Sequence, residues 1–210
     1  TEAYEFEAPF FTFVMVMGKK LLGKRAYKQF GGYFPIRFNY DDTWHANGNM
    51  SIQCHPYHDY VRKENNELGR QDESYYIVEA AEGAKTFLGF NEDINPDDFM
   101  KEVFESEKTG KPIDYLKYVN AVTSTPGTQV LIPAGTIHSS GRNQLVLEIG
   151  SLTIGSYTYK LYDYMRKDLD GNPRPIHSRH GDNVLQKYRK TNWVNEHIVR
   201  RAKGFDDHDT

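Results

Sequence analysis

From Asn49 to Ile154 the chain is a succession of short β-type runs, each closed by a turn signal, and this pattern restricts its fold more than any other feature. The runs read as strands over Met50–His55, Ser74–Ala80, Lys85–Phe90, Ala121–Thr123, Gln129–Ile132 and Leu145–Ile149. Pro126-Gly127 and Ser140-Gly141 are turn dipeptides. One insert breaks the pattern. Asn95-Pro96-Asp97-Asp98 places a proline and two acids where a helix begins, and Phe99, Val103 and Phe104 follow at helical spacing. Thr109-Gly110-Lys111-Pro112 ends that helix, and Ile113–Val119 reads as a second one. The expected architecture is mainly β, a sandwich or barrel with a short helical insert.

The flanks are less regular. Phe10–Met17 is an apolar, β-rich run closed by Gly18, followed by a basic cluster of Lys19, Lys20, Lys24, Arg25 and Lys28 that reads as a solvated surface. Tyr33–Phe38 is a further strand after Gly31-Gly32. Past Tyr164 the chain turns polar, and Val184 to Arg201 reads as a partly helical tail. Charge excludes one class of function. With 26 Lys+Arg against 29 Asp+Glu the net charge is −3, which leaves no basic excess for nucleic acid. Phe10–Met17 is too short to span a bilayer, so no membrane association is expected. A single cysteine, Cys54, rules out an internal disulfide framework and reads as a small core residue. No targeting segment is visible at Thr1, and the expected location is cytoplasmic.

The chemistry concentrates in three places. In Ser51-Ile52-Gln53-Cys54-His55-Pro56, residues two apart share a strand face, so Gln53 and His55 point one way and Ile52 and Cys54 the other. Glu73 stands at the mouth of the next strand. In Pro133-Ala134-Gly135-Thr136-Ile137-His138 a turn aims a histidine back into the sheet. Gln53, His55, Glu73 and His138 together supply two nitrogens and two oxygens. That donor set suits Zn²⁺ and also admits Fe²⁺ or Mn²⁺. Each histidine taken singly is as readily a hydrogen-bonded strand-end residue. Arg142, Arg166 and Arg174 are candidates to line an anion pocket, with solvated surface as the alternative. His45, His58, His180, His197 and His208 read as surface or structural histidines.

The Ser51–Pro56 block, Leu88-Gly89-Phe90, Ile132–His138 and Leu147-Glu148-Ile149 resemble the type I mannose-6-phosphate isomerases of the cupin superfamily. So does Tyr159-Lys160-Leu161-Tyr162-Asp163-Tyr164, followed by Arg166, Gly171, Pro173-Arg174 and His177. The resemblance implies a jelly-roll cupin in a single domain over 1–210, with a family-like core at 33–177 and a C-terminal tail at 178–210. It implies metal ligation by Gln53, His55, Glu73 and His138 and places Ser51 at the substrate pocket, and Arg142 and Arg166 are the candidate substrate contacts beside it. It also implies isomerisation between mannose 6-phosphate and fructose 6-phosphate through an enediol.

Two positions depart from the family. Lys160 stands where an arginine is usual, and it is the candidate catalytic residue; a lysine supplies a point charge rather than a fork. Gln71 stands where a lysine often precedes the Glu ligand, with Arg70 beside it. The run Gly150–Tyr157 also differs in length. A non-catalytic sugar-phosphate-binding module of a larger protein is therefore the alternative, and an iron-dependent oxygenase is a third. A homodimer or an additional domain is compatible with either of the first two.

Overall fold

The structure, a computed structural model, describes residues 7–45, 48–67, 69–151 and 157–201. Residues 152–156 and His208 lie outside them. In chain order its elements are α1 (Phe10–Gln29), β1 (Ile36–Asp42), β2 (Ile52–Cys54), α2 (His58–Asn65), β3 (Glu73–Ala80), β4 (Lys85–Phe90) and α3 (Pro96–Thr109). A single 3-10 turn at Tyr115–Lys117 precedes β5 (Val119–Thr123), β6 (Gln129–Ile132), β7 (His138–Ser140), β8 (Gln144–Ser151) and β9 (Tyr159–Tyr162). Then come α4 (Ser178–Val184), α5 (Thr191–His197) and β10 (Val199–Arg200). These fall into two compact units, Thr1–Arg37 and Phe38–Thr210.

In the first unit the apolar run is helical, not extended. Phe10–Met17 forms a helical stretch that Gly18 separates from the Lys19–Leu22 turn, and its two methionines favour helix against the β preference of Phe and Val. Gly18 at φ 40° and Gly23 at φ 76° interrupt α1 with backbone that is not helical. The Phe10 ring meets Phe34 edge-on at 5.0 Å. Among the described residues no helix is long and apolar enough to cross a membrane.

The second unit carries two antiparallel five-stranded sheets. One runs β1-β8-β3-β6-β10 and the other β5-β4-β7-β2-β9. This is the mainly β, cupin-type jelly roll. Strands of period two put one row of side chains between the sheets. Along β3 that row is Glu73, Tyr75 and Ile77, all buried. Part of the space between the sheets is filled by Ile77, Val130, Val146 and Leu88, sealed by Val194 and Ile198 from the C-terminal segment. A second apolar cluster packs the other face of the β4–β9 sheet against α3 and α4. There Ile52 and Cys54 meet Phe99, Val103, Leu161 and Val184. Gln53 and His55 consequently face away from that cluster.

Helix α3 spans Pro96–Thr109, with Asn95 Oδ1 accepting the Asp97 amide at its start and Gly110 in a left-handed conformation at its end. The expected second helix at Ile113–Val119 is only the 3-10 turn, because Val119 is already committed to β5 opposite Phe90. The expected helical tail is α4, α5 and a strand. β10 pairs with β6 through Val199 and Val130, which completes a sheet. A continuous helix there would leave that edge of β6 unpaired.

Candidate metal centre

The polar end of the sandwich interior is assembled from both sheets. Glu73 opens β3 on one side. His138 opens β7 and His55 follows β2 on the other. Gln53 and His138 are paired directly across β2 and β7, and Lys160 of β9 is paired with Gln53 on its other flank. Directly paired residues share a face, so Lys160, Gln53 and His138 form one row across the sheet. The carboxylate lies against both imidazoles. Glu73 Oε1 is 3.0 Å from His55 Nε2, and Oε2 is 3.2 Å from His138 Nε2. All three side chains are at most 2% exposed.

Backbone carbonyls decide which ring nitrogen carries the proton. His138 Nδ1 donates to Thr136 O at 2.9 Å, and His55 Nδ1 donates to Tyr157 O at 3.1 Å. In the neutral rings each Nε2 then presents a lone pair to the carboxylate, and neither atom has a hydrogen-bond partner. Lone pairs facing lone pairs in a dry interior repel unless a cation lies between them. The ligand atoms of His55, Glu73 and His138 lie within 4.8 Å of one another. Two donors of one tetrahedral ion sit roughly 3.4 Å apart, on metal–ligand distances of about 2.1 Å. The observed separations of 3.0 and 3.2 Å are close to that. The group therefore fits a divalent metal. Burial alone would raise the Glu73 carboxyl, but positive charge and N–H donation at His55 and His138 outweigh it and hold the group well below the usual carboxylate range; with the rings neutral, a bound cation would supply that charge instead.

Neighbours orient these side chains. Gln71 Nε2 donates to Glu73 Oε1 at 2.7 Å, and Gln71 is itself 1% exposed. Ser51 Oγ donates to Gln53 Oε1 at 2.9 Å. Thus Ser51 acts on the amide of an expected ligand, and Gln53 stands beside His138 with its oxygen already engaged. Lys160 Nζ is 3.7 Å from Asp163 Oδ2, and the buried Asp163 carboxylate is also met by Arg166 and by Arg174 Nε at 3.0 Å. Arg142 and Arg166 line a common cavity of about 810 Å³ with Asn49, Lys85, Tyr115 and Tyr164. Arg166 also borders a second cavity of about 240 Å³ beside Asp41, Thr43 and Met50. Arg174 stays with Asp163. None of Gln53, His55, Glu73 and His138 lines the larger arginine cavity.

Asp41 is not among the expected site residues, and Glu148 enters there only within the Leu147-Glu148-Ile149 block. Glu148 lies directly across from Tyr75 on β8, one pair along from Glu73's side of β3. Burial raises the Asp41 carboxyl, a hydrogen bond with Glu148 lowers it, and the Glu73 charge raises it further. Only the folded strand marks Asp41 out. Along β1 the large apolar residues Phe38 and Tyr40 are 67% and 64% exposed while Asp41 is half-buried, so polarity is inverted relative to an ordinary core strand.

A jelly-roll sandwich holding a His-Glu-His group defines a metal-binding cupin. No model of a known protein family matches the chain. The mannose-6-phosphate isomerase ManA of Bacillus subtilis (strain 168) is 31% identical over 157 residues, 74% of this chain and 45% of that protein. The crystal structure of the mannose 6-phosphate isomerase from Bacillus subtilis superposes with a TM-score of 0.62 at 26% identity, over 80% of this chain and 51% of that one. A mannose 6-phosphate isomerase described as holo and zinc bound shares the fold, with a TM-score of 0.62 at 12% identity over 91% of this chain and 63% of that one. The chain belongs to the mannose-6-phosphate isomerase family. It spans about half the length of the curated relatives it matches.

Proposed function

We propose that the chain is the metal-binding cupin of an aldose–ketose isomerase that interconverts mannose 6-phosphate and fructose 6-phosphate. The observation that carries this reading is the convergence of His55, Glu73 and His138, whose ligand atoms lie within 4.8 Å of one another in a buried cluster. Zn²⁺ is the metal proposed, held by these three with Gln53 as a fourth donor once Ser51 yields its oxygen. When bound, such an ion polarises the sugar's carbonyl and hydroxyl oxygens.

The chain's own residues do the rest. The reaction moves a proton between C1 and C2 through an enediol, and a base must take it up and return it. Lys160 is the proposed catalytic residue, in the row of Gln53 and His138. With Asp163 as counter-ion it holds charge toward the developing oxyanion. Arg142 and Arg166 suit the phosphate, since a guanidinium forks onto phosphoryl oxygens. A cytoplasmic setting accords with the lone, buried Cys54.

A coupled assay with fructose 6-phosphate, run with and without chelator, tests the reading. Turnover lost on chelation and restored by Zn²⁺ is expected, and a fully metallated chain that gives no turnover refutes it. The second reading, a sugar-phosphate-binding module without activity, draws on the neutral Gln71 where the family often carries a lysine and on Lys160 where an arginine is usual. Stabilisation by fructose 6-phosphate without turnover would favour it.

A further inference from the structure

The turn Pro133–Thr136 touches every strand that brings a ligand to the metal group. Gly135 N donates to His55 O at 2.7 Å, Ala134 N donates to the carboxylate of Asp72, next to Glu73, at 2.9 Å, and Thr136 O accepts His138 Nδ1. Where this turn sits therefore sets the spacing of all three ligands. Its carbonyls are buried and need donors.

Thr136 N and Oγ1 serve Pro133 O and Gln186 N serves Gly135 O, and the further donor to Pro133 O and the donor to Ala134 O come from Arg189, in the loop between α4 and α5. Its Nη1 donates to Pro133 O at 3.0 Å, Ala134 O at 2.8 Å and Thr136 Oγ1 at 2.5 Å, and its Nη2 donates to the Tyr57 hydroxyl at 3.1 Å. Arg189 is 7% exposed, and among the described residues no carboxylate lies within ion-pair distance of it. Its guanidinium lies over the Trp193 ring at 4.8 Å. Burying an unpaired guanidinium is costly unless oxygens replace its water. Here those oxygens belong to the turn and to Tyr57. Tyr57 is two residues after His55 and Thr136 is two residues before His138. One cation thus ties together the backbone segments that carry both histidines.

We propose that Arg189 is a positioning residue for the metal centre, a latch from the C-terminal segment that fixes the distance between His55 and His138. The proposal rests on the metal reading above. Outer groups that hold metal ligands in place are worth about ten- to hundredfold in affinity.

The test measures Zn²⁺ affinity by competition with a chromophoric chelator, and the visible spectrum of the Co²⁺ form, in the native chain and in Arg189→Met and Arg189→Lys. Circular dichroism and denaturant unfolding of the metal-free proteins fix the conditions in which each is folded. The expected result is a dissociation constant about ten- to hundredfold higher for Arg189→Met and a changed Co²⁺ band. A folded Arg189→Met with native affinity and a native Co²⁺ spectrum overturns the proposal. Should Arg189→Met fail to fold, Tyr57→Phe and Thr136→Val each remove one of its contacts. Weakened Zn²⁺ binding in either supports the latch, and native affinity in both overturns it. A native chain that takes up neither ion removes the metal reading and the latch with it, an outcome distinct from variants that match a metal-binding native chain.

Discussion

Gln71 and Glu73 lie two residues apart and point the same way, so that the Gln71 amide donates to Glu73 Oε1 at 2.7 Å inside the sandwich. A neutral donor here orients the carboxylate without neutralising it, which leaves its charge for a bound cation. Gln71→Leu removes the donor and leaves a buried carboxylate oxygen short of one partner. Zn²⁺ affinity should fall about tenfold. Stability of the metal-free chain should drop by about 1–3 kcal/mol. Chelator competition and urea unfolding check the two effects.

Metal removal should itself be visible as lost stability. An ion that binds only the folded chain adds about 2.7 kcal/mol at a hundred times its dissociation constant. EDTA should therefore lower Tm of the native chain and leave His138→Ala, which lacks one ligand, almost unmoved. Paired thermal melts with and without EDTA decide this.

Gly135 is the tightest point of the ligand-bearing turn. It holds φ +81°, and an added Cβ would stand 2.6 Å from the Tyr57 hydroxyl and 2.7 Å from Val184 O. Gly135→Ala combines a left-handed backbone with a backbone clash, and it should cost about 2 kcal/mol or more. Denaturant unfolding should show that loss, together with weaker Zn²⁺ binding.

Alkaline conditions should unfold the chain through its buried phenols. Burial pushes the Tyr159 hydroxyl up to about 12, and the nearby Tyr60 adds to the effect. Burial likewise raises Tyr75 well above the ordinary phenol range. Above pH about 10 the unfolded chain gives up these protons while the folded chain keeps them, so the folded state binds more protons and stability falls as pH rises. The contribution is complete below pH 10 and is lost through about pH 12 for Tyr159. Urea midpoints from pH 8 to 11.5 should decline, and Tyr159→Phe should decline less steeply.

Arg142 lines the larger cavity without an ion-pair partner among the described residues. Arg142→Ala should raise KM for fructose 6-phosphate about tenfold and change kcat less, as expected when a ground-state phosphate contact is lost. Steady-state kinetics with the coupled assay measure both.

The gathering of His55, Glu73 and His138 could be anticipated in the sequence because it obeys local rules. Strand periodicity sends Gln53 and His55 to one face, and a Pro-Ala-Gly turn returns His138 to the sheet. Helix α3 was legible for the same reason, with Asn95, Pro96 and Gly110 at its ends. What stayed hidden depends on distant partners. Phe10–Met17 has strand-like composition but becomes helix, since a short apolar run has no fixed period of its own. Val199 joins a sheet only because β6 offers a free edge at Val130. Asp41 acquires meaning only beside Glu148, and Arg189 only against a turn more than fifty positions earlier. Nothing local to either residue announces those neighbours.

The origin of Arg189 in the α4–α5 loop bears on how the protein comes into being. On a ribosome the stretch holding His55, Glu73 and His138 emerges well before the arginine that clasps their turn, and β10 arrives later still. Until then β6 lacks its outer neighbour and the histidines lack a fixed spacing, so early capture of an ion would be loose and reversible. Synthesis order thus makes secure metal uptake one of the last events in maturation, after contacts spanning 132 positions between Tyr57 and Arg189 have closed.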